Sequence, residues 1–337
     1  MMSHDRAHAG HDHDKGHDHD KGHGHEVSAD ADRRWLSVAL ALIVAFMLAE
    51  VAIGVLSRSL ALISDSAHML TDAAALVLAL VAIRLAARPA RGRFTFGLKR
   101  AEILSAQVNG VSLLVLGGVI AYEAISRLIS PIGVHGATMV ATAAIGVVVN
   151  VAATWAISRA NRASLNIEGA FQHILNDLYA FVATAVAGLI IIFTGFERAD
   201  PIASLVVVFL MAKAGIRLLR DSAWVLLEAA PLGMDPDVIG DLLVDIDGVV
   251  EVHDLHVWTI SSSQTALSAH VLVAPGVDCH AIRLRLDALV GDLFGIHHTT
   301  MQVDHVGPEH GGSGIKPYTA HCDDAHGPAH SSGPHDH

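Results

Sequence analysis

The chain has 337 residues, of which 52% are hydrophobic and 17% charged, and its formal net charge is −12 at pH 7. Nucleic-acid-binding proteins need a basic surface, so this charge balance argues against nucleic acid as a partner. Two cysteines, Cys279 and Cys322, are too few for a disulfide framework.

The N-terminal segment, residues 1–34, is of low complexity and contains the run HDHDKGHDHDKGHGH. It has too few apolar side chains to bury a core, so we predict a disordered tail. Closely spaced histidines bind metal ions without a fixed geometry, which indicates a metal buffer of low specificity.

Apolar residues are concentrated in residues 35–227. A helix needs about 20 mainly apolar residues to cross a membrane, and several stretches reach that length. We therefore predict an α-helical membrane bundle of six transmembrane helices. The predicted spans are 35–56, 62–86, 101–126, 137–158, 170–194 and 201–220.

The basic residues near the ends of these spans are distributed unevenly. One side of the predicted bundle has thirteen Lys and Arg residues and the other has three, namely Arg58, Arg127 and Arg198. The side richer in Lys and Arg is normally cytoplasmic. We therefore expect a multi-pass protein with both termini in the cytoplasm, and we expect a bacterial inner membrane.

The next segment, residues 228–306, changes character and predicts a small cytoplasmic α+β domain. Asp235 followed by Pro236 is typical of a helix start. VHDLHVWTI and TALSAHVLV alternate like strands, DCHAIRLRLDALVGDLF has helical spacing, and TTMQVDHV indicates a last strand. The order α-β-β-α-β is ferredoxin-like, and the His-rich residues 307–337 are predicted to be disordered.

Two predicted spans contain the same pair of side chains, His68 with Asp72 and His173 with Asp177. Residues four apart lie on one helix face, so two such helices could present two imidazoles and two carboxylates to one ion. This ligand set suits tetrahedral zinc, although cadmium, cobalt and nickel also fit. The alternative is that each histidine forms a hydrogen bond with a backbone carbonyl. Two copies of the His–Asp pair at similar depth make this alternative less favoured.

Asp65 lies three residues before His68, near the same helix face. It could orient His68 through a hydrogen bond, as a partner of a metal ligand often does. It could equally cap the span after Ser64. The C-terminal domain adds seven histidines, which suggest a second group of metal ligands at a domain or dimer surface.

Several motifs resemble those of the cation diffusion facilitators, which are proton-coupled exporters of divalent metal ions. The similar segments, within residues 35–306, are SLALISDSAHMLTD, FTFGLKRAEILSA, HILND, DPIASLVVVFL, LLEAAP, HDLHVWTI and SAHVLV. The resemblance implies six spans, cytoplasmic termini and a homodimer formed through the C-terminal domain. It also implies a transport site at His68, Asp72, His173 and Asp177, of the version that is similar to zinc-transporting members.

The resemblance gives two ligand sets for the cytoplasmic domain. One set is His256, His270, His297 and Asp304; the other is His253, His270, His280 and a group near Asp304 or His305. Metal bound there is expected to regulate transport.

We thus predict a transporter, not an enzyme, that exports Zn²⁺ and takes up H⁺ as the counter-ion. Protons would compete with zinc for the histidines and carboxylates and release the ion by alternating access. One alternative is a membrane-anchored metal buffer or sensor that transports nothing, and another is a carrier of organic cations. The histidine pair argues against the latter.

Overall fold

A computed structural model describes residues 29–57, 60–130, 136–262, 264–306 and 327–332. Within these ranges, side chains are not described for residues 29–30, 57 and 60–68. Six helices in the described ranges are long and apolar enough to cross a membrane. They are α1 Ala29–Ser57, α2 Leu60–Ala86, α3 Ala101–Ile129, α4 Gly136–Ile157, α5 Leu165–Thr194 and α6 Ala199–Leu226.

The six helices pack as two rows of three, with α1, α2 and α3 in one row and α4, α5 and α6 in the other. Helices α2 and α5 occupy the centre of their rows and contact each other across the bundle. Around them an apolar core excludes solvent, with Leu36, Leu76, Ile157 and Ile174 fully buried. This core is formed by apolar side chains of α1, α2, α4 and α5.

Glycines let two helix pairs approach closely. A Cβ atom on Gly215 of α6 would lie 3.0 Å from the backbone oxygen of Gly110 on α3. A Cβ atom on Gly136 of α4 would lie 2.7 Å from the backbone oxygen of Gly188 on α5. Small residues at such crossings are typical of membrane helices, because packing there relies on close backbone contact.

The C-terminal domain contains α7 Pro236–Val244, β1 Val249–Ser261, β2 Gln264–Val273, α8 Cys279–Phe294 and β3 His298–His305. Asp235 caps α7, because its carboxylate accepts a hydrogen bond from the backbone N–H of Asp237. Strands β1 and β2 form an antiparallel hairpin, whereas β2 and β3 pair in parallel across the connection through α8. Leu243, Leu267 and Leu286 from three of these elements are buried in one core.

A fourth strand comes from the C-terminal tail. Strand β4, His330–Ser331, pairs antiparallel with β1 and completes a sheet of order β3-β2-β1-β4. The ring of His330 is buried, and its Nδ1 lies 2.8 Å from Oδ1 of Asp241 on α7. The prediction of disorder over residues 307–337 did not anticipate this strand, because a two-residue pairing leaves no periodicity in the sequence.

Polar contacts join the bundle to the C-terminal domain. The Lys99 ammonium donates to the side-chain oxygen of Gln264, and Arg100 pairs with Glu228 at 3.1 Å. The backbone N–H of Leu165, at the start of α5, donates to the hydroxyl of Ser262 at 3.3 Å. The β1–β2 turn therefore touches the same end of the bundle as the α2–α3 and α4–α5 connections.

The structure confirms the predicted fold class, a six-helix bundle followed by an α-β-β-α-β domain. Several helices are longer than the predicted spans, since α1 begins at Ala29, α3 ends at Ile129, α5 begins at Leu165 and α6 ends at Leu226. The additional turns contain charged side chains, among them Asp32, Glu168 and Asp221. Such side chains end a span that is defined by hydropathy, while the helix itself continues.

Candidate metal centre between the second and fifth helices

Three side chains that can bind a metal ion converge at the centre of the bundle. Asp72 comes from α2, and His173 and Asp177 come from successive turns of α5. One ligand atom of each lies within 4.8 Å of the other two. In the part of the chain that the structure describes, no other group of three His, Cys, Asp or Glu side chains meets this distance.

The imidazole of His173 lies between the two carboxylates. Its Nδ1 is 3.1 Å from Oδ1 of Asp72 and 3.8 Å from Oδ2 of Asp177. His173 is fully buried, Asp72 is 5% exposed, and Asp177 is partly exposed. Asp177 is therefore the most exposed of the three side chains.

The hydrogen-bonding capacity of this cluster is not used within the described residues. The 3.1 Å contact between His173 and Asp72 is short, but its angles do not make a hydrogen bond, and neither ring nitrogen has such a partner. Oδ1 of Asp72 and Oδ2 of Asp177 also have none. A buried polar group without a partner costs about 1–3 kcal/mol, so the arrangement suits an ion that all three would bind.

A hydrogen bond two helical turns away fixes α5 against α2. The side-chain amide of Asn166 donates to the backbone oxygen of Ala79 at 3.0 Å, and Asn166 is fully buried. Ala79 follows Asp72 by seven residues, and Asn166 precedes His173 by seven. Because α2 and α5 are antiparallel neighbours, this bond sets the register that brings Asp72 and His173 to the same depth.

The predicted ligand His68 and its predicted neighbour Asp65 belong to helix α2, but their side chains lie outside the described residues. His68 precedes Asp72 by one helical turn, so the helix places both on one face. Three of the four predicted ligands are thus brought together, and His68 remains a prediction as the fourth.

The β1–β2 hairpin brings a second group of predicted ligands together. His253 and His270 are paired in register, with ring centroids 5.5 Å apart. His256 Nε2 is 3.0 Å from Asp254 Oδ1, and His270 Nε2 is 3.9 Å from Asp254 Oδ2. His253 is buried beside Glu251, its Nδ1 lying 3.0 Å from Oε1 of that carboxylate.

The predicted alternation of faces along this strand is interrupted. The register shifts between His253 and His256, and Asp254 has φ +52°. This irregularity turns Asp254 toward both His256 and His270. Asp254 and Glu251 were not predicted as partners of these histidines, because their position beside the histidines was the only signal in the sequence.

The remaining predicted ligands lie at the surface, apart from that hairpin group. All are exposed: His280, His297, Asp304 and His305. The Nε2 atom of His305 lies 2.8 Å from the backbone oxygen of Val277, and its Nδ1 atom lies 3.5 Å from Cys279 Sγ. The carboxylate of Asp304 accepts a hydrogen bond from the side-chain amide of Gln302.

Two family models match the chain, one for the membrane helices and one for the C-terminal domain. The model of the cation efflux transmembrane domain matches residues 36–227, and the model of the cation efflux protein cytoplasmic domain matches residues 231–306.

Relatives align over most of their own length. A cadmium, cobalt and zinc/H⁺–K⁺ antiporter of Bacillus subtilis (strain 168) is 36% identical, over 81% of this chain and 89% of that protein. Zinc transporter ZitB of Escherichia coli (strain K12) is 38% identical, over 84% and 90%. The proton-coupled zinc antiporter SLC30A2 of Rattus norvegicus is 34% identical, over 81% and 80%.

Proposed function

Because the chain belongs to the cation efflux family, we propose that it exports divalent transition-metal ions, foremost Zn²⁺, in exchange for protons. The observation that carries this proposal is the contact of Asp72 with His173 and Asp177 in the middle of the bundle. Ionisable groups inside a membrane protein are costly and are kept for a function, here the binding of a cation.

The chemistry of the ligands favours zinc among the candidate metals. One imidazole nitrogen and two carboxylate oxygens, with His68 as the fourth ligand, would form the tetrahedral N₂O₂ set that zinc accepts. Relatives are named for zinc alone or for cadmium, cobalt and zinc together. Cadmium and cobalt are therefore proposed as secondary substrates, since ligand type alone does not separate them from zinc.

Proton coupling follows from what the ligands must lose in order to bind a metal. Zinc needs a neutral imidazole and ionised carboxylates, so each ion that binds displaces protons from the site. When the site opens to the other side of the membrane, protons return to His173, Asp72 and Asp177 and release the ion. The metal ion and the protons thus occupy the same site in turn, and this couples metal export to proton uptake.

We place both termini in the cytoplasm of a bacterial cell and the six helices across its inner membrane. The excess of Lys and Arg at one end of the bundle supports this orientation. In the same proposal residues 35–227 carry the ion, residues 228–306 form the cytoplasmic domain, and the His-rich segments 1–34 and 307–337 collect metal ions. This activity is transport and requires no covalent catalysis.

We further propose a homodimer held by the cytoplasmic domains and regulated by metal. The contact of Asp254 with His256 and His270, beside His253, supports a ligand group on the β1–β2 hairpin. The exposed residues His280, His297, Asp304 and His305 supply ligands at the surface, where a second protomer can approach. Zinc bound there would draw two protomers together and favour the transporting state.

A flux assay tests the proposal against its alternatives. Purified full-length protein in vesicles with an imposed pH gradient is expected to move zinc and to dissipate the gradient, with smaller effects of cadmium and cobalt. Binding of zinc without flux would indicate a membrane-anchored buffer or sensor. Competition by organic cations but not by metals would indicate a carrier of organic cations.

A further inference from the structure

A groove of about 590 Å³ lies between α5 and α6. It reaches from Tyr179, midway along α5, to Leu232 at the beginning of the C-terminal domain. Asp177, His173 and Asp72 do not line it. The groove therefore lies beside the metal centre and is not part of it.

One half of the groove is apolar and the other half carries cations. Leu175 and Leu210 form its apolar half, from α5 and α6 respectively. Arg162, Lys213 and Arg217 lie along the half nearer to the C-terminal domain. Two carboxylates, Glu168 and Asp221, also line the groove, so the net formal charge of its lining is +1.

Two of these cations are paired with carboxylates, and the third, Lys213, is not paired within the described residues. Arg162 is paired with Glu168, with contacts of 3.0 and 3.3 Å. Arg217 approaches Asp221 only to 3.6 Å, and its side chain is 73% exposed. Lys213 is exposed, and no described residue forms an ion pair or hydrogen bond with it.

Tryptophans mark the depth of these cations in the membrane. Arg159 lies 5.0 Å above the ring of Trp155 on α4, and Arg220 lies 4.9 Å above the ring of Trp224 on α6. Trp residues are enriched at the boundary between headgroups and hydrocarbon. Lys213 precedes Arg220 by seven residues, about 10 Å along the helix toward the membrane centre. An anion beside an ammonium group stabilises it at that depth.

We infer that this groove binds one anionic phospholipid of the adjoining leaflet. Its phosphate would lie between Lys213 and Arg217, and one acyl chain would lie along Leu210 and Leu175. A basic pocket between membrane helices is a typical headgroup site. A free phosphate ion would satisfy the cations but leave the apolar half of the groove uncovered. The inference rests on the helices crossing a bilayer and is independent of the metal.

Native mass spectrometry of the full-length protein in detergent tests this inference. Phosphatidylglycerol and phosphatidylcholine with the same acyl chains are titrated in parallel, and we expect one phosphatidylglycerol to bind preferentially. Lys213→Gln and Arg217→Gln are each expected to weaken that binding about five-fold, because one cation near the membrane surface contributes about that factor. Lys213→Arg should retain it. The matched control is Arg220→Gln, which removes a cation of the same helix that does not line the groove.

Three results would overturn the inference. The first is equal binding of both lipids, and the second is an Arg220→Gln variant as weak as Lys213→Gln. The third is displacement of the lipid by millimolar inorganic phosphate, which would show that the anion alone is recognised. Zinc flux of the same variants is measured separately, so that a failure of the lipid site is distinguished from a failure of the proposed transport.

Discussion

Asp72 and His173 lie on two helices that are distant in the sequence, yet their side chains meet at 3.1 Å in the buried centre of the bundle. Asp177, one turn along α5 from His173, completes a cluster in which an imidazole lies between two carboxylates. The hydrogen bond between Asn166 and Ala79 supports this contact, because it joins the same two helices seven residues away from it on each helix. The proposed metal centre is therefore a consequence of how α2 and α5 are aligned.

The affinity of the central site for zinc should depend on pH. Zinc needs neutral imidazoles and ionised carboxylates, so protons compete with it and binding should tighten as the pH rises from 6 to 8. The change should approach about tenfold per pH unit for each proton released. Isothermal titration in two buffers of different ionisation enthalpy measures both the affinity and the protons released.

The variant His173→Gln tests the assignment of that proton. It should bind zinc more weakly and show a flatter pH profile than the unaltered protein, because one titrating ligand is lost. An unchanged profile would mean that other histidines, in the tails or the C-terminal domain, account for the pH dependence.

Substitution of Asn166 should weaken the site without removing a ligand. Asn166→Ala deletes the hydrogen bond to Ala79, which contributes about 0.5–1.5 kcal/mol, so zinc affinity should fall by about two- to ten-fold. Asn150→Ala is the matched control, since the Asn150 amide donates to Gly146 of its own helix at 3.0 Å. Equal zinc affinities of the two variants would show that the interhelical bond does not position the ligands.

The crossing of α3 and α6 should not tolerate a larger side chain. In Gly215→Val the new Cβ atom would lie 3.0 Å from both the Gly110 backbone oxygen and the Leu114 side chain, so the helices must separate. We expect a loss of about 1–3 kcal/mol, seen as a lower melting temperature in detergent. Gly118→Val, at a position on α3 with no atom within 4 Å, should melt close to the parent protein. The same melting temperature for both variants would contradict the described crossing.

The C-terminal strand makes a separate prediction. His330→Ala removes the contact with Asp241 and should release β4 from β1, so amide hydrogen exchange near Glu251 and Val252 should accelerate about two- to ten-fold. Asp241→Asn should have a smaller effect in the same direction, because an amide oxygen can still accept from the imidazole. Exchange rates unaffected by His330→Ala would show that β4 does not protect this edge.

The sequence allowed the spans and the ligand pairs to be predicted for a simple physical reason. Crossing a bilayer demands a long apolar run, and His173 with Asp177 interrupts such a run at a spacing that only one helix face can satisfy. The signal for the start of α7, Asp235 followed by Pro236, is equally local in the sequence. Each of these signals depends on residues within one or two turns of one another.

Features that depend on distant partners could not be predicted. The face on which Asp72 meets His173 is set by helix packing, including the Asn166–Ala79 bond. The irregularity at Asp254 arises where β1 shifts its register against β2. Likewise the pairing of His330 with Asp241 joins residues from the tail and α7, and no local pattern indicates it.

Zinc-dependent proton flux in proteoliposomes tests the central claim most directly, with the unaltered chain compared with Asp177→Ala. Asp177 is one of the three converging side chains of the proposed site. We therefore predict that this variant folds, as judged by its melting temperature and gel filtration, but moves neither zinc nor protons. Asp200→Asn, a carboxylate of α6 paired with Arg127 at 3.5 Å and remote from the cluster, should retain flux. Full flux in folded Asp177→Ala would contradict the placement of the transport site between α2 and α5.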